Sequence, residues 1–167
     1  MILLVGGEKG GSGKSCLAQN LAVYLQQKGL DVLLLDADPQ GTSTDWAQER
    51  GQNDALPTLP CVQASGNLRA VLKDLSKRYE NIVIDSGGQD SEALRSAMTL
   101  ATHMLLPFRP KRRDLKTLTL VEQLVKLAVA VNPGPDRARN LAVRAGVTLG
   151  VIGMALAFLM TGPTPDQ

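Results

Sequence analysis

The stretch Glu8-Lys9-Gly10-Gly11-Ser12-Gly13-Lys14-Ser15 separates a short apolar run, Ile2-Leu3-Leu4-Val5, from a helical pattern that begins at Ser15. Strand, glycine-rich loop and helix in that order suit a bound triphosphate. The glycines let backbone N–H groups turn inward and approach the phosphates. The helix directs the positive end of its dipole at them. Lys14 is placed to neutralise the β- and γ-phosphates, and the Ser15 hydroxyl to ligate Mg²⁺. A chance Gly-Lys-Ser in a glycine-rich turn would not bring the flanking strand and helix with it.

Outward from the loop, strand and helix signals alternate. Leu17, Leu21, Ala22 and Leu25 form a helical stripe within Ser15 to Lys28, and Gly29 supplies the stop. Val32-Leu33-Leu34-Leu35 reads as a buried strand ending at Asp36, after which Pro39 and Gly41 break the chain. Thr58 to Gln63 is a third candidate strand, weakened by Pro57 and Pro60. Leu68, Val71, Leu72 and Leu75 share one helical face, and Ile82-Val83-Ile84 is the next strand, ending at Asp85 before Gly87-Gly88. A helix around 91–101, a strand near Met104-Leu105-Leu106 and a helix from Asp114 to about Val131 complete the pattern. Strands apolar at every position, alternating with helices, predict an α/β fold: a mostly parallel sheet covered on both faces. Acidic residues and glycines gather at strand ends, the edge where open α/β sheets bind ligands.

The 167 residues are 44% hydrophobic, 20% charged and 3% aromatic, enough for one domain and unlike a disordered, collagen-like or coiled-coil chain. Cys16 and Cys61 match no metal or redox spacing, so a reducing cytoplasm is the simpler setting. The apolar N-terminus has no basic flank and does not read as a signal peptide. Charge is uneven: residues 1–108 hold 9 Lys and Arg against 12 Asp and Glu, whereas 109–144 hold 9 against 3. The basic segment fits either a polyanion-facing surface or a solvated helix face.

The strict pattern G-x-x-x-x-G-K-[ST] has Glu8 at its first glycine, and Lys9 followed by two glycines stands inside it. With that lysine the loop resembles the deviant Walker A ATPases of the ParA/MinD family, whose pattern is K-G-G-x-G-K-[ST]. The resemblance implies a P-loop NTPase fold, Mg²⁺-dependent ATP hydrolysis, and closure of a nucleotide-sandwich dimer on ATP. Lys9 would then reach the phosphates held by the other subunit. Lys9, Gly10, Gly11, Ser12, Gly13, Lys14, Ser15 and Cys16 become the nucleotide-contacting residues.

Asp36-Ala37-Asp38-Pro39-Gln40-Gly41 is similar to the family's switch I. By that match Asp38 orients or activates the attacking water, and Asp36 helps hold the water shell of Mg²⁺. Without the match, Asp-x-Asp-Pro-x-Gly is an ordinary strand-to-turn exit. Asp85 resembles the Walker B aspartate, and Ser86-Gly87-Gly88 takes the place of switch II. The glycine pair is closest to the small ParF-like plasmid partition proteins, and it permits the backbone to rearrange when the γ-phosphate is lost. Pro107-Phe108-Arg109-Pro110 resembles the loop bordering adenine and the dimer interface. Asp114 reads as a helix cap, lone His103 as structural, and Trp46 as packing against the domain.

Lys111, Arg112, Arg113 and Lys116 form the basic cluster, with no aromatic residues between them for base stacking. The resemblance implies non-specific DNA binding there, a nucleoid-associated cytoplasmic location, and a ParB-like centromere-binding partner. Charge density alone fits a solvated helix start equally well. The resemblance covers about residues 1–132, with a P-loop ATPase domain at 1–134 and a divergent apolar tail at 135–167. Ala145 to Gly162 is 18 residues without a charge, the lower limit for a membrane-spanning helix. Val147 to Ile152 equally suits a missing buried strand followed by a helix, and an aberrant tail is the third reading. The rival functions are a MinD-like membrane-positioning ATPase and a nucleotide-binding relative that does not hydrolyse.

Overall fold

The computed structural model describes residues 1–7, 11–87, 91–108, 142–146 and 155–160. In chain order these form β1 (Ile2–Val5), α1 (Lys14–Gln27), β2 (Val32–Ala37), α2 (Thr42–Gly51), β3 (Cys61–Gln63), α3 (Arg69–Leu75) and β4 (Asn81–Ser86). Then come α4 (Glu92–Met98), β5 (His103–Phe108), β6 (Ala142–Gly146) and β7 (Ala155–Met160). Among the described residues the strands make one sheet in the order β3-β2-β4-β1-β5-β7-β6. From β3 to β5 every pairing is parallel. The chain leaves β1 toward β2 on one side, and later crosses from β4 over β1 to β5 on the other. The carboxyl end of β1 is therefore a topological switch point, where a ligand crevice is expected.

Alternation of side chains along each strand sorts the core into two layers. Leu3, Val5, Val32, Leu34 and Val83 face α1 and α2, meeting Ala18 and Ala22 with Leu17, Leu21 and Trp46 beside them. Leu4, Leu33, Leu35, Ile82 and Ile84 face α3 and α4, meeting Leu68, Leu72, Leu94 and Ala97. Burial on both faces explains why the strands read as unbroken apolar runs.

Three elements differ from expectation for local reasons. β3 begins only at Cys61. Pro60 contributes its carbonyl, which accepts from the Leu34 N–H at 2.9 Å, but proline has no N–H to continue a ladder. The helix expected over 91–101 runs from Glu92 to Met98, with the Ser91 hydroxyl accepting from the Leu94 N–H at its start. The tail supplies two antiparallel strands, with β7 paired to both β5 and β6, so 155–160 is strand rather than the helix that two of the three readings of the tail placed there. The strand expected at Val147–Ile152 lies outside the described residues, as do the helix from Asp114 and Arg109-Pro110. Among the described residues no helix is long and apolar enough to cross a membrane.

Candidate nucleotide site

The loop leaves β1 through a tight passage at Gly6. A Cβ on Gly6 would stand 2.9 Å from Leu94 Cδ1 and 3.1 Å from Ser86 Oγ. Gly13 then opens α1 in the left-handed region at φ 84°, with no side-chain cap and no acidic residue in the first turn. The Leu17 N–H bonds to the Gly13 carbonyl, whereas the helix geometry itself supplies no acceptor for the amides before it. Those amides, at the positive end of a 14-residue helix, are donors suited to an anion. Lys14 is only 6% exposed. Burial pulls its pKa below the usual lysine value, while the Asp85 and Asp38 carboxylates oppose the shift. Cys16 is exposed, and its carbonyl accepts from Asn20 Nδ2 at 2.7 Å. Lys9 and Gly10 lie outside the described residues, and so do Lys111, Arg112, Arg113 and Lys116.

The carboxylates converge at the ends of β2 and β4. Asp36 and Asp85 are register partners, and both are completely buried. They lie two residues beyond Leu34 and Val83, which assigns both to the α1–α2 layer. Asp36 Oδ1 accepts from the Asp38 N–H at 3.1 Å. Its Oδ2 accepts from the Thr44 N–H at 2.8 Å and the Thr44 hydroxyl at 3.0 Å. Because the residue capping α2 is Gly41, which has no side chain to offer, Asp36 caps that helix from the neighbouring strand. Asp38 Oδ1 accepts from the Gln40 N–H at 3.0 Å, which shapes the turn. A Cβ on Gly87 would lie in ordinary van der Waals contact with the Asp38 carboxylate, 3.4 Å from Cγ, so that carboxylate stands directly beside the loop after β4.

Asp85 is bonded differently. The Ser43 hydroxyl donates to Asp85 Oδ2 at 2.6 Å, and Gln19 Nε2 donates to Ser43 Oγ at 3.1 Å. Among the described residues Asp85 Oδ1 is buried without a hydrogen-bond partner. Burial raises the Asp85 pKa, the Ser43 and Ser15 hydroxyls lower it, and Asp36 and Asp38 raise it again. A buried carboxylate oxygen left open beside the Ser15 hydroxyl has the donor chemistry of a Mg²⁺ water shell. The residues present therefore fit that ion. Asp36 has protein donors on both of its oxygens, so Asp85 is the better-fitting carboxylate of the two.

A family model for the CobQ/CobB/MinD/ParA nucleotide binding domain matches residues 3–143. The chain belongs to this family. Among its relatives, a Protein ParA of Rhizobium radiobacter is 31% identical over 136 residues, covering 81% of this chain and 60% of that one. A maintenance of carboxysome distribution protein A of Gloeobacter kilaueensis is 39% identical over 111 residues, covering 66% of this chain and 50% of that one. The chain thus spans between half and three fifths of these relatives' lengths. A plasmid partition protein of Borrelia burgdorferi has the same fold, with a TM-score of 0.65, 21% identity, and coverage of 77% of this chain and 74% of that one.

Within the described part of this nucleotide-binding domain, Gly11, Ser12, Gly13, Lys14, Ser15, Asp36, Asp38 and Asp85 fall on one edge of the sheet, around the loop after β1. Ser43, Thr44 and Gln19 are the residues that sequence reasoning missed. The Thr42-Ser43-Thr44 run directly after the Asp36–Gly41 motif was the available signal, since hydroxyl residues at a helix start bond to neighbouring groups. Gln19 carries no such signal, because its partner is distant in sequence. His103 pairs with β1 and shares a 2.9 Å contact with the Thr102 hydroxyl, which suits a structural role. Burial and the nearby N-terminal ammonium hold its pKa below the ordinary value.

Proposed function

We propose that the chain is a ParA-like ATPase that binds Mg²⁺·ATP and hydrolyses it to drive DNA partitioning. The convergence of Lys14 with the Asp38 and Asp85 carboxylates, under the open end of α1, carries this reading. Lys14, with burial weakening its hold on its proton and two carboxylates strengthening it, serves as a cation for the β- and γ-phosphates. The first-turn amides of α1 cradle the phosphates with Gly11, Ser12 and Gly13, and Cys16 follows in the same turn. Ser15 and Asp85 hold the cation, with Asp36 fixing the approach of the switch I loop. Mg²⁺, when bound, neutralises charge that develops on the transferring phosphoryl group. Asp38, whose carboxylate stands beside Gly87 in the loop after β4, orients the attacking water. Lys9, with Gly10 beside it, completes the phosphate contacts across a nucleotide-sandwich dimer. Lys111, Arg112, Arg113 and Lys116 bind DNA phosphates without sequence preference, placing the dimer on the nucleoid, and a ParB-like partner stimulates release.

A second reading, positioning of a cargo other than a replicon, is favoured by the 39% identity to a carboxysome-distribution protein. Both share the nucleotide chemistry, and DNA co-sedimentation alone does not separate them. Calorimetry with a non-hydrolysable ATP analogue and Mg²⁺ tests the shared step. Lys14→Ala is expected to weaken binding about tenfold or more, as loss of a charge-assisted bond does. Failure of the native chain to bind, or an unchanged Lys14→Ala affinity, would sink the proposal.

A further inference from the structure

The contact between Ser43 and Asp85 joins the helix after one acidic loop to the carboxylate of the other. Ser43 sits in the first turn of α2 and is fully buried, as is Asp85, and Gln19 on α1 is 9% exposed. The chain of donors runs one way: Gln19 Nε2 to Ser43 Oγ at 3.1 Å, and Ser43 Oγ to Asp85 Oδ2 at 2.6 Å. A hydroxyl that accepts from an amide has its proton committed to the remaining acceptor, and networks of this kind polarise one another. The result is asymmetric: Oδ2 is held, and Oδ1 has no hydrogen-bond partner among the described residues.

We propose that Ser43, oriented by Gln19, is a positioning residue that fixes the Asp85 carboxylate with one oxygen directed to the nucleotide's Mg²⁺. The inference deepens the Mg²⁺·ATP reading above and rests on it. Supporting partners of this kind restrict how a carboxylate can rotate, and their loss weakens metal affinity about 10-fold to 100-fold. α1 closes the phosphate loop and α2 follows the Asp38 turn, so the relay ties the cation site to both.

The test titrates Mg²⁺ against the full chain at fixed AMPPNP and reads nucleotide binding rather than turnover. Ser43→Ala is expected to raise the Mg²⁺ concentration for half-maximal binding about tenfold, while affinity in EDTA stays at the native value. Ser43→Thr, which keeps the hydroxyl, restores the native requirement. Gln19→Leu shifts it in the same direction by a smaller factor, and decides the matter if Ser43→Ala does not fold. An unmoved Mg²⁺ requirement, or an equal loss with and without the ion, overturns the inference. Native protein that fails to bind AMPPNP with Mg²⁺ removes the underlying reading as well, so the two failures are distinguishable.

Discussion

Asp36 and Asp85 occupy matched positions at the ends of adjacent strands, fully buried on the same face of the sheet, yet they have opposite bonding. Asp36 accepts three hydrogen bonds, two of them from Thr44, and serves as the cap that α2 lacks. Asp85 accepts from Ser43 on one oxygen, and the other has no hydrogen-bond partner among the described residues. Equal burial of equal groups therefore has unequal consequences. One carboxylate is part of the scaffold, and the other, beside the Ser15 hydroxyl, retains a capacity that an added cation would satisfy. The difference follows from what the first turn of α2 presents: at Thr44 an N–H and a hydroxyl together, at Ser43 a single hydroxyl.

The largest expected effect of breaking this contrast is at Asp85. Asp85→Asn should abolish the Mg²⁺-dependent gain in nucleotide affinity, and in EDTA its thermal stability should equal or exceed that of the native chain, because a desolvated charge has gone. A melting temperature well below native would contradict the ligand role. Asp36→Asn should do the reverse and cost about 1–3 kcal/mol of stability, as a charge-assisted acceptor for buried donors is lost. Urea denaturation would measure it, and an unchanged midpoint would deny the capping role.

A smaller effect sharpens the comparison through pH. Burial raises the folded Asp85 pKa above its unfolded value. In EDTA, its contribution to stability is complete below about pH 4, where the unfolded carboxyl is also protonated. That contribution is lost as pH rises through the folded value. The stability advantage of Asp85→Asn over the native chain should therefore grow from acid toward neutral pH; a constant difference in urea melts would refute it. The smallest effect concerns a thiol beside the same network. Burial pushes the Cys61 thiol up to about 11, and Cys16 is exposed. A thiol reagent near pH 8 should label Cys16 quickly and Cys61 only once the chain is unfolded. Equal rates under native conditions would show that the layer around Cys61 is open.

Much of this was legible without coordinates. The apolar runs at residues 2–5, 32–35 and 82–84 became β1, β2 and β4 because strands buried on both faces have no polar alternation to obscure them. The acidic residues that closed two of those runs proved to be register partners. β3 was misjudged in length, since the effect of Pro60 depends on which neighbour its carbonyl meets. The tail was harder still. An uncharged stretch is compatible with helix, strand or membrane span, and only pairing partners choose between them; β7 lies against β5, with β6 beyond it.

By itself the sequence determined the parallel strands β1, β2 and β4, the phosphate loop and the acidic residues at its edge, because these depend on periodicity and on chemistry between near neighbours. The tertiary structure decided which carboxylate is satisfied and which is left open. Gln19, Ser43 and Asp85 are 24 and 42 positions apart, and nothing in their local sequence requires them to meet. They meet because α1 and α2 pack on the same face of the sheet, where β4 turns Asp85 toward them.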